Sequence, residues 1–280
     1  MPHEGQESRM LLARVTFTPY FEHEEAELVA AAEAYLGALV KNGQICGDHL
    51  TGWHDGVFCV YTYLSHRNAA SDRYLSKWGR HELASVRRQF GCNPVWEILD
   101  DEAAARMSTW KSASSLYLFT HAFDVASPVV HGDRGTPIPL HLLPVSDRQR
   151  ERLCTWSDSY TCHDRIWFEG AALEMDAYKQ LADPDSDVSD KGRTLCREVE
   201  DAVKRPVFYY LLRHWGDFET ENDRLCPCCG RDWVVASSPA PSREPFRQFH
   251  FRCDRCRLVS HRAVAFDDAQ HAAIGTYSPG

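Results

Sequence analysis

The chain has 280 residues, 44% apolar and 25% charged, with 31 basic and 40 acidic side chains. That length accommodates two or three modules with a real core, and the apolar content excludes collagen-like, mucin-like and disordered classes. A formal net charge of −9 argues against a general polyanion binder. No apolar run approaches the roughly 18 residues of a membrane span, and Met1–Arg9 lacks a basic segment leading into an apolar run and cleavage site. The expectation is a soluble, cytoplasmic protein with no membrane partner.

In chain order, residues 1–100 read as an α/β module. Leu11 to Thr18 alternates like a strand and Pro19 closes it. A helix follows, with Leu28, Ala32, Tyr35, Leu36 and Leu39 on one face and Asn42-Gly43 as its stop. Gln44–Trp53 and Val57–Leu64 read as strands joined at Asp55-Gly56, a strong hairpin signal. A second helix over about Ser71 to Phe90 places Leu75, Trp78, Val86 and Phe90 at helical spacing, and Pro94 to Leu99 reads as a last strand. The order β-α-β-β-α-β predicts a ferredoxin-like split βαβ, a fold that fixes no activity.

Residues 101–218 read as a mixed, mainly helical region. Leu116–Phe123 is strand-like, and Val129–Leu142 suggests a hairpin around Gly132–Gly135. Ser146 and Gln149 form a capping-box start for a helix carrying Leu153, Trp156, Tyr160, His163 and Trp167 on one stripe. Further helices are expected over Leu173–Leu181 and around Leu195, Val199 and Val203, with Val207–Leu212 a buried strand or short helix.

Residues 219–280 carry the densest chemistry. Six of the 11 cysteines are scattered singly; the other five lie between positions 226 and 256. An odd count suits a reducing compartment better than a disulfide framework. Cys226-Pro-Cys-Cys229-Gly230 and Cys253-Asp-Arg-Cys256 are two C-x2-C pairs, separated by 23 residues, enough for two strands and the proline-rich loop at 236–245. Two such pairs match a four-thiolate tetrahedral zinc site, and Gly230 supplies the positive φ that a knuckle turn needs. Cys226, Cys229, Cys253 and Cys256 are therefore the expected ligands of one structural zinc ion. Cys228 is a spare thiol, and His250 and His261 read as surface or packing residues. A closed site leaves no coordination position for substrate, so the metal is expected to hold together a segment too small for its own core. Val129–Gly135 has the outline of a knuckle with His131 and Arg134 in place of cysteines; a plain β-turn explains it better, and no metal is expected there.

The motif Cys226-Pro-x-Cys229-Gly-x-Asp-Trp233 with Phe251-x-Cys253-Asp-Arg-Cys256-Arg-Leu258 resembles an uncharacterised bacterial family described as zinc-ribbon-containing and as a candidate nucleic-acid binder. The likeness extends upstream through Pro137–Leu140, the Trp156/Tyr160/Trp167 helix and Gly192-Arg-x-Leu-Cys196, from about residue 115 onward. It implies zinc more directly than it implies nucleic acid.

From Ser242 to Arg262 there are six arginines against two acids, a net of +4. Arg247, Arg252, Arg255, Arg257 and Arg262 are the candidate phosphate contacts, since a guanidinium donates two parallel hydrogen bonds. Phe249 and Phe251 alternate with Gln248, His250 and Arg252. They either stack on bases or, with Trp233, form the ribbon's small core. The alternative function is protein recognition, as an adaptor, regulatory subunit or toxin-neutralising partner, with the ribbon as scaffold. Catalysis is not expected: phosphate loops, G-x-S-x-G and H-E-x-x-H are missing, and Cys162-His163-Asp164 on a helix point about 100° apart.

Overall fold

The computed structural model describes residues 8–21, 24–100, 106–123, 126–170, 172–214, 220–235 and 249–263. Its elements in chain order are β1 (Ser8–Arg9), β2 (Leu11–Phe17), α1 (Glu25–Lys41), β3 (Ile45–His54), β4 (Val57–Leu64), α2 (Lys77–Phe90), β5 (Val95–Asp100) and β6 (Arg106–Met107). Then follow β7 (Leu116–Leu118), β8 (Val129–His131), α3 (Asp147–Phe168), α4 (Glu174–Ala182), α5 (Asp187–Val203), β9 (Val207–Tyr210), β10 (Phe251–Cys253) and β11 (Leu258–Ser260). The fold is mixed α+β. The described residues fall into two units, one drawn from 1–113, 124–131 and 136–154, the other from 114–123, 132–135 and 155–280.

In the first unit, four strands pair in the order β3-β4-β2-β5, each antiparallel to its neighbour. That is the strand order of the split βαβ arrangement. Alternation along β2 buries Ala13, Val15 and Phe17 on the face covered by α1 and α2, against Leu28, Tyr35, Leu36, Leu83, Val86 and Phe90. Asp55 and Gly56 both take positive φ, 49° and 76°, the requirement of a two-residue type I′ hairpin. The second helix starts later than the apolar spacing suggests. Ser76 caps it by accepting from Gly79 N at 3.0 Å, and its core face runs through Gly79, Leu83, Val86 and Phe90. Trp78 lies off that face and is 58% exposed.

The capping box at Ser146 forms: Gln149 N donates to Ser146 Oγ at 3.3 Å, and Ser146 N donates to Gln149 Oε1 at 2.9 Å. On α3 the stripe facing the core is Leu153, Trp156, Tyr160 and Asp164, with Trp167 half-buried against Tyr178. His163 is not on it. Its Nδ1 sits 2.7 Å from Ser159 O, while the buried Asp164 carboxylate accepts from Ala122 N at 2.6 Å. Cys162 is exposed, so the Cys162-His163-Asp164 run does not converge.

In the second unit, the strands lie side by side as β10, β11, β9 and β7. The stretch expected to be mainly helical thus contributes two parallel strands, with Leu116 opposite Val207 and Leu118 opposite Tyr209. The C-terminal hairpin joins the same sheet. Leu258 and Val259 pair in parallel with Tyr209 and Tyr210, and Tyr209 N donates to Arg257 O at 2.7 Å. Gly192 lets α5 press onto β9, because a Cβ there would lie 2.3 Å from the Tyr209 ring and 2.8 Å from Trp156 Nε1. Among the described residues, no helix is long and apolar enough to cross a membrane.

Candidate metal centre

Each knuckle is a backbone turn that delivers two thiols to one point. In the first, Cys226 N donates to Arg231 O and Gly230 N to Cys226 O, both at 2.8 Å, and Gly230 takes φ 66°. In the second, Cys253 closes β10, and Cys256 N approaches Cys253 Sγ at 3.4 Å. The antiparallel pairing of β10 with β11 and the bridge from Val234 to Phe251 hold the two turns together. Trp233 and Phe251 stack at 5.1 Å beneath them, and both are buried.

The Sγ atoms of Cys226, Cys229, Cys253 and Cys256 all lie within 4.8 Å of one another, and Cys229 and Cys253 are 3.7 Å apart. Bonds of about 2.3 Å in a tetrahedral zinc–thiolate site imply sulfur–sulfur edges of about 3.8 Å. The spacing fits a four-coordinate metal and is far too long for disulfides. Among the described residues this is the only group of three or more metal-ligating side chains gathered so closely. Cys228 is exposed and stands outside it. His250 and His261 also stand outside: His250 Nδ1 accepts from Arg262 N at 3.2 Å, and His261 Nδ1 lies 3.1 Å from Tyr210 Oη. Residues 129–135 form a turn closed by His131 N to Thr136 O at 2.9 Å, with no metal-ligating cluster.

Without a cation the thiols are shifted in different directions. Burial raises Cys226 and Cys256, whereas the backbone N–H of Arg231 draws Cys229 down. Cys226 and Cys256 are therefore protonated at neutral pH until a metal displaces the protons.

The arginines near the second knuckle do not form one open cationic face. Arg257 makes a two-pronged pair with Glu200, its Nε 2.9 Å from Oε2 and its Nη2 3.0 Å from Oε1. Arg252 pairs with Asp254 at 2.8 Å and lies over the Phe208 ring at 4.5 Å. Arg262 reaches Asn222 Oδ1 at 2.5 Å. Arg255 is exposed, and Arg247 lies outside the described residues. Phe249 packs against Tyr117 and Tyr210, and Phe251 is fully buried, so the aromatic residues face inward.

Two contacts that support the centre, one half-buried and one fully buried, had no sequence signal. Glu200 and Arg257 are 57 positions apart. Glu221, fully buried, takes the guanidinium of Arg213, Arg224 Nε at 3.0 Å and Ala263 N at 3.1 Å. It ties the segment before the first knuckle to the one after the second. Only the topology of the chain brings these groups together.

Fold and site together define a mixed α+β protein with a four-cysteine, metal-type centre near its C-terminus. A 34% identity over 151 residues links it to an uncharacterized protein of Haemophilus influenzae, covering 53% of this chain and 71% of that one. The chain belongs to the family of that Haemophilus protein. A second uncharacterized Haemophilus influenzae protein matches at the same identity over 151 residues, and there the match spans 56% of the relative. Three family models match, each described as a domain of unknown function: DUF8589 over residues 10–100, DUF2310 over 111–212 and DUF8594 over 216–266. Two solved structures superpose on about a third of the chain. One is described as a candidate antibiotic biosynthesis monooxygenase from Caulobacter crescentus CB15, with TM-score 0.28 and 17% identity, over 33% of this chain and 90% of that one. The other is Rv0793 from Mycobacterium tuberculosis, with TM-score 0.25 and 16% identity, over 34% of this chain and 100% of that one.

Proposed function

We propose that the chain is a non-catalytic binding protein in which Cys226, Cys229, Cys253 and Cys256 hold one structural Zn2+ ion. The mutual spacing of the four thiols carries this reading. Sulfur ligands in tetrahedral array favour zinc, and four protein thiolates leave no position for substrate or activated water. When bound, the ion cross-links two backbone turns that share only a few strand hydrogen bonds. That clamps β10 and β11 into the sheet built on β9.

Nucleic acid stays the first ligand class, on a narrower footing than the arginine count suggests. Arg255, and Arg252 despite its pair with Asp254, are exposed on or beside the second knuckle and supply the phosphate contacts, while Arg257 is held by Glu200 and Arg262 reaches Asn222. Stacking on Phe251 drops out of this reading, because that ring is buried. Protein recognition is the second reading, favoured by Leu225 and Val234, which flank the first knuckle 51% and 39% exposed.

Fluorescence anisotropy of the zinc-loaded chain with short single-stranded RNA, single-stranded DNA and duplex DNA across a salt series separates the two. Phosphate recognition requires affinity that falls with salt, with a slope reporting a few contacts, and loss of binding in the Arg252→Glu/Arg255→Glu double variant. Absence of binding at low salt would remove the nucleic-acid reading and leave protein docking on the zinc scaffold.

A further inference from the structure

We propose that the outer face of α2, in the first unit and remote in sequence from the cysteine centre, is a second contact surface for single-stranded nucleic acid. It rests on the ligand class proposed above and places that ligand on different residues.

The sequence of α2 divides by helical phase. Gly79, Leu83, Val86 and Phe90 are buried toward the core. At about 100° per residue, Lys77, His81 and Arg88 fall on the opposite side, with Arg80 and Arg87 along one flank. Lys77, Arg80, Arg87 and Arg88 are all exposed, as is Arg73 in the turn before the helix. From Arg73 to Arg88 five cations stand against one acid, Glu82, a net of +4 in a chain of net charge −9.

Four of these cations have no carboxylate partner among the described residues. Arg73 lies over the Tyr74 ring at 4.5 Å, Lys77 Nζ lies over the Trp78 ring at 5.7 Å, Arg80 donates to Leu75 O, and Arg88 makes no ion pair. Arg87 is the exception, 3.5 Å from Asp72 and 2.6 Å from Asn93 Oδ1. The acids beside the face are engaged. Glu82 lies 4.0 Å from His81 Nε2, and Asp147 lies 3.3 Å from Arg150.

Charge alone would mark a solvated helix; exposed aromatic rings at both of its ends set this one apart. Trp78, 58% exposed, stands in the first turn. At the other end, Tyr20 N donates to Phe90 O at 2.9 Å, which seats Tyr20 and Phe21 on the last turn, 71% and 61% exposed. Phe21 lies over Gly91, where a Cβ would come within 2.6 Å of its ring. The 14 residues of α2 set the two aromatic ends about 20 Å apart, with the cations between them.

That arrangement matches a single strand: bases stack on the open rings, and ammonium and guanidinium groups take the phosphates. A duplex keeps its base faces stacked and would leave the rings without partners. A membrane surface does not suit either. An interfacial helix immerses its apolar face, and here Leu83, Val86 and Phe90 belong to the core.

Anisotropy of a labelled oligo(dT) of about 15 nucleotides, titrated with the full zinc-loaded chain across a salt series, tests the assignment. Lys77→Gln/Arg88→Gln removes two charges without breaking an ion pair. It should weaken binding and make the log–log salt slope shallower by about 1.4, with an unchanged thermal midpoint. Trp78→Ala should weaken binding by about tenfold. Ultraviolet cross-linking of the same complex should give adducts at Trp78 or at Tyr20 and Phe21. The Arg252→Glu/Arg255→Glu variant separates this surface from the ribbon contacts. Binding that survives there but falls in the α2 variants would uphold the α2 surface and remove the ribbon contacts. Binding lost there but unchanged in the α2 variants, with adducts confined to residues 220–263, would overturn the α2 surface and leave the ribbon reading standing. Absence of binding at low salt would overturn both. Poly-glutamate competing as well as oligo(dT) at equal charge would also overturn the assignment, because the face would then read charge alone, as an acidic protein offers it.

Discussion

Arg257 adopts φ 54°, a left-handed conformation that costs a non-glycine residue about 1–2 kcal/mol. It follows the second knuckle as Gly230, φ 66°, follows the first. The chain keeps arginine here because its side chain is held: Glu200 grips the guanidinium from both carboxylate oxygens and also accepts from Val207 N at 3.0 Å. Replacing Glu200 by alanine should therefore cost about 1–2 kcal/mol in urea unfolding, discounted because the pair is partly exposed. At Arg257 itself, glycine should be less damaging than alanine, since glycine loses the ion pair but relieves the backbone. Equal losses for the two variants would show that the left-handed turn is not under strain. Gly192 makes the opposite demand, for space. Gly192→Ala should destabilise by about 1–3 kcal/mol, because its Cβ would press on the Tyr209 ring and Trp156.

At the scale of elements, the C-terminal hairpin is secured twice over. Along its length, β11 takes the parallel edge of β9, and Leu211 N donates to Val259 O at 2.9 Å. At its base, the Glu221 carboxylate joins Arg213, Arg224 and Ala263 in one buried knot. Glu221→Gln removes the charge while keeping the shape and leaves the Arg213 cation buried without a counter-charge. The expected loss is about 3 kcal/mol or more by thermal or urea unfolding. Features set by neighbours in sequence were legible beforehand: the Asp55-Gly56 hairpin, the Ser146/Gln149 cap, the alternation along β2 and the two C-x2-C turns each depend on a few adjacent residues. Features set by distant partners were not. Trp78 has helical spacing with the core residues, yet the cap at Ser76 starts α2 in a phase that turns it outward. Neither the parallel register of β9 with β11 nor the pairing of Glu200 with Arg257 has a local pattern, so counting arginines overstated the free cationic surface.

At the scale of the whole molecule, stability should depend on pH through a histidine pair in the first unit, His141 buried and His66 half-buried. His66 Nε2 and His141 Nε2 are 2.9 Å apart; His141 Nδ1 donates to Gly43 O at 3.0 Å, and His66 Nδ1 accepts from Asn68 N at 3.2 Å. That pattern requires both rings neutral, with His66 donating to His141. Burial lowers His66 to about 4, assisted by Arg73, and lowers His141 to about 3, assisted by the His66 ring and Arg150. In the unfolded chain both rings take up protons near the ordinary value of about 6.5. Their contribution is therefore intact above that pH and is lost as pH falls from about 6.5 toward 4. The His66→Asn/His141→Asn double variant should show a smaller drop in denaturation midpoint between pH 7 and pH 5 than the parent; an equal drop would assign the dependence to other groups. Metal affinity should fall over acid pH as well, because Cys226 and Cys256 must release protons to bind. In the proposed reading, one zinc ion holds the C-terminal sheet together. Its most direct test is metal analysis of the purified chain, followed by chelation with hydrogen exchange read at β9, β10 and β11. One zinc per chain, with protection lost at β10 and β11 on chelation and restored by zinc, is the expected result. A chain with no zinc or two, or strands that stay protected after the metal is removed, would contradict it.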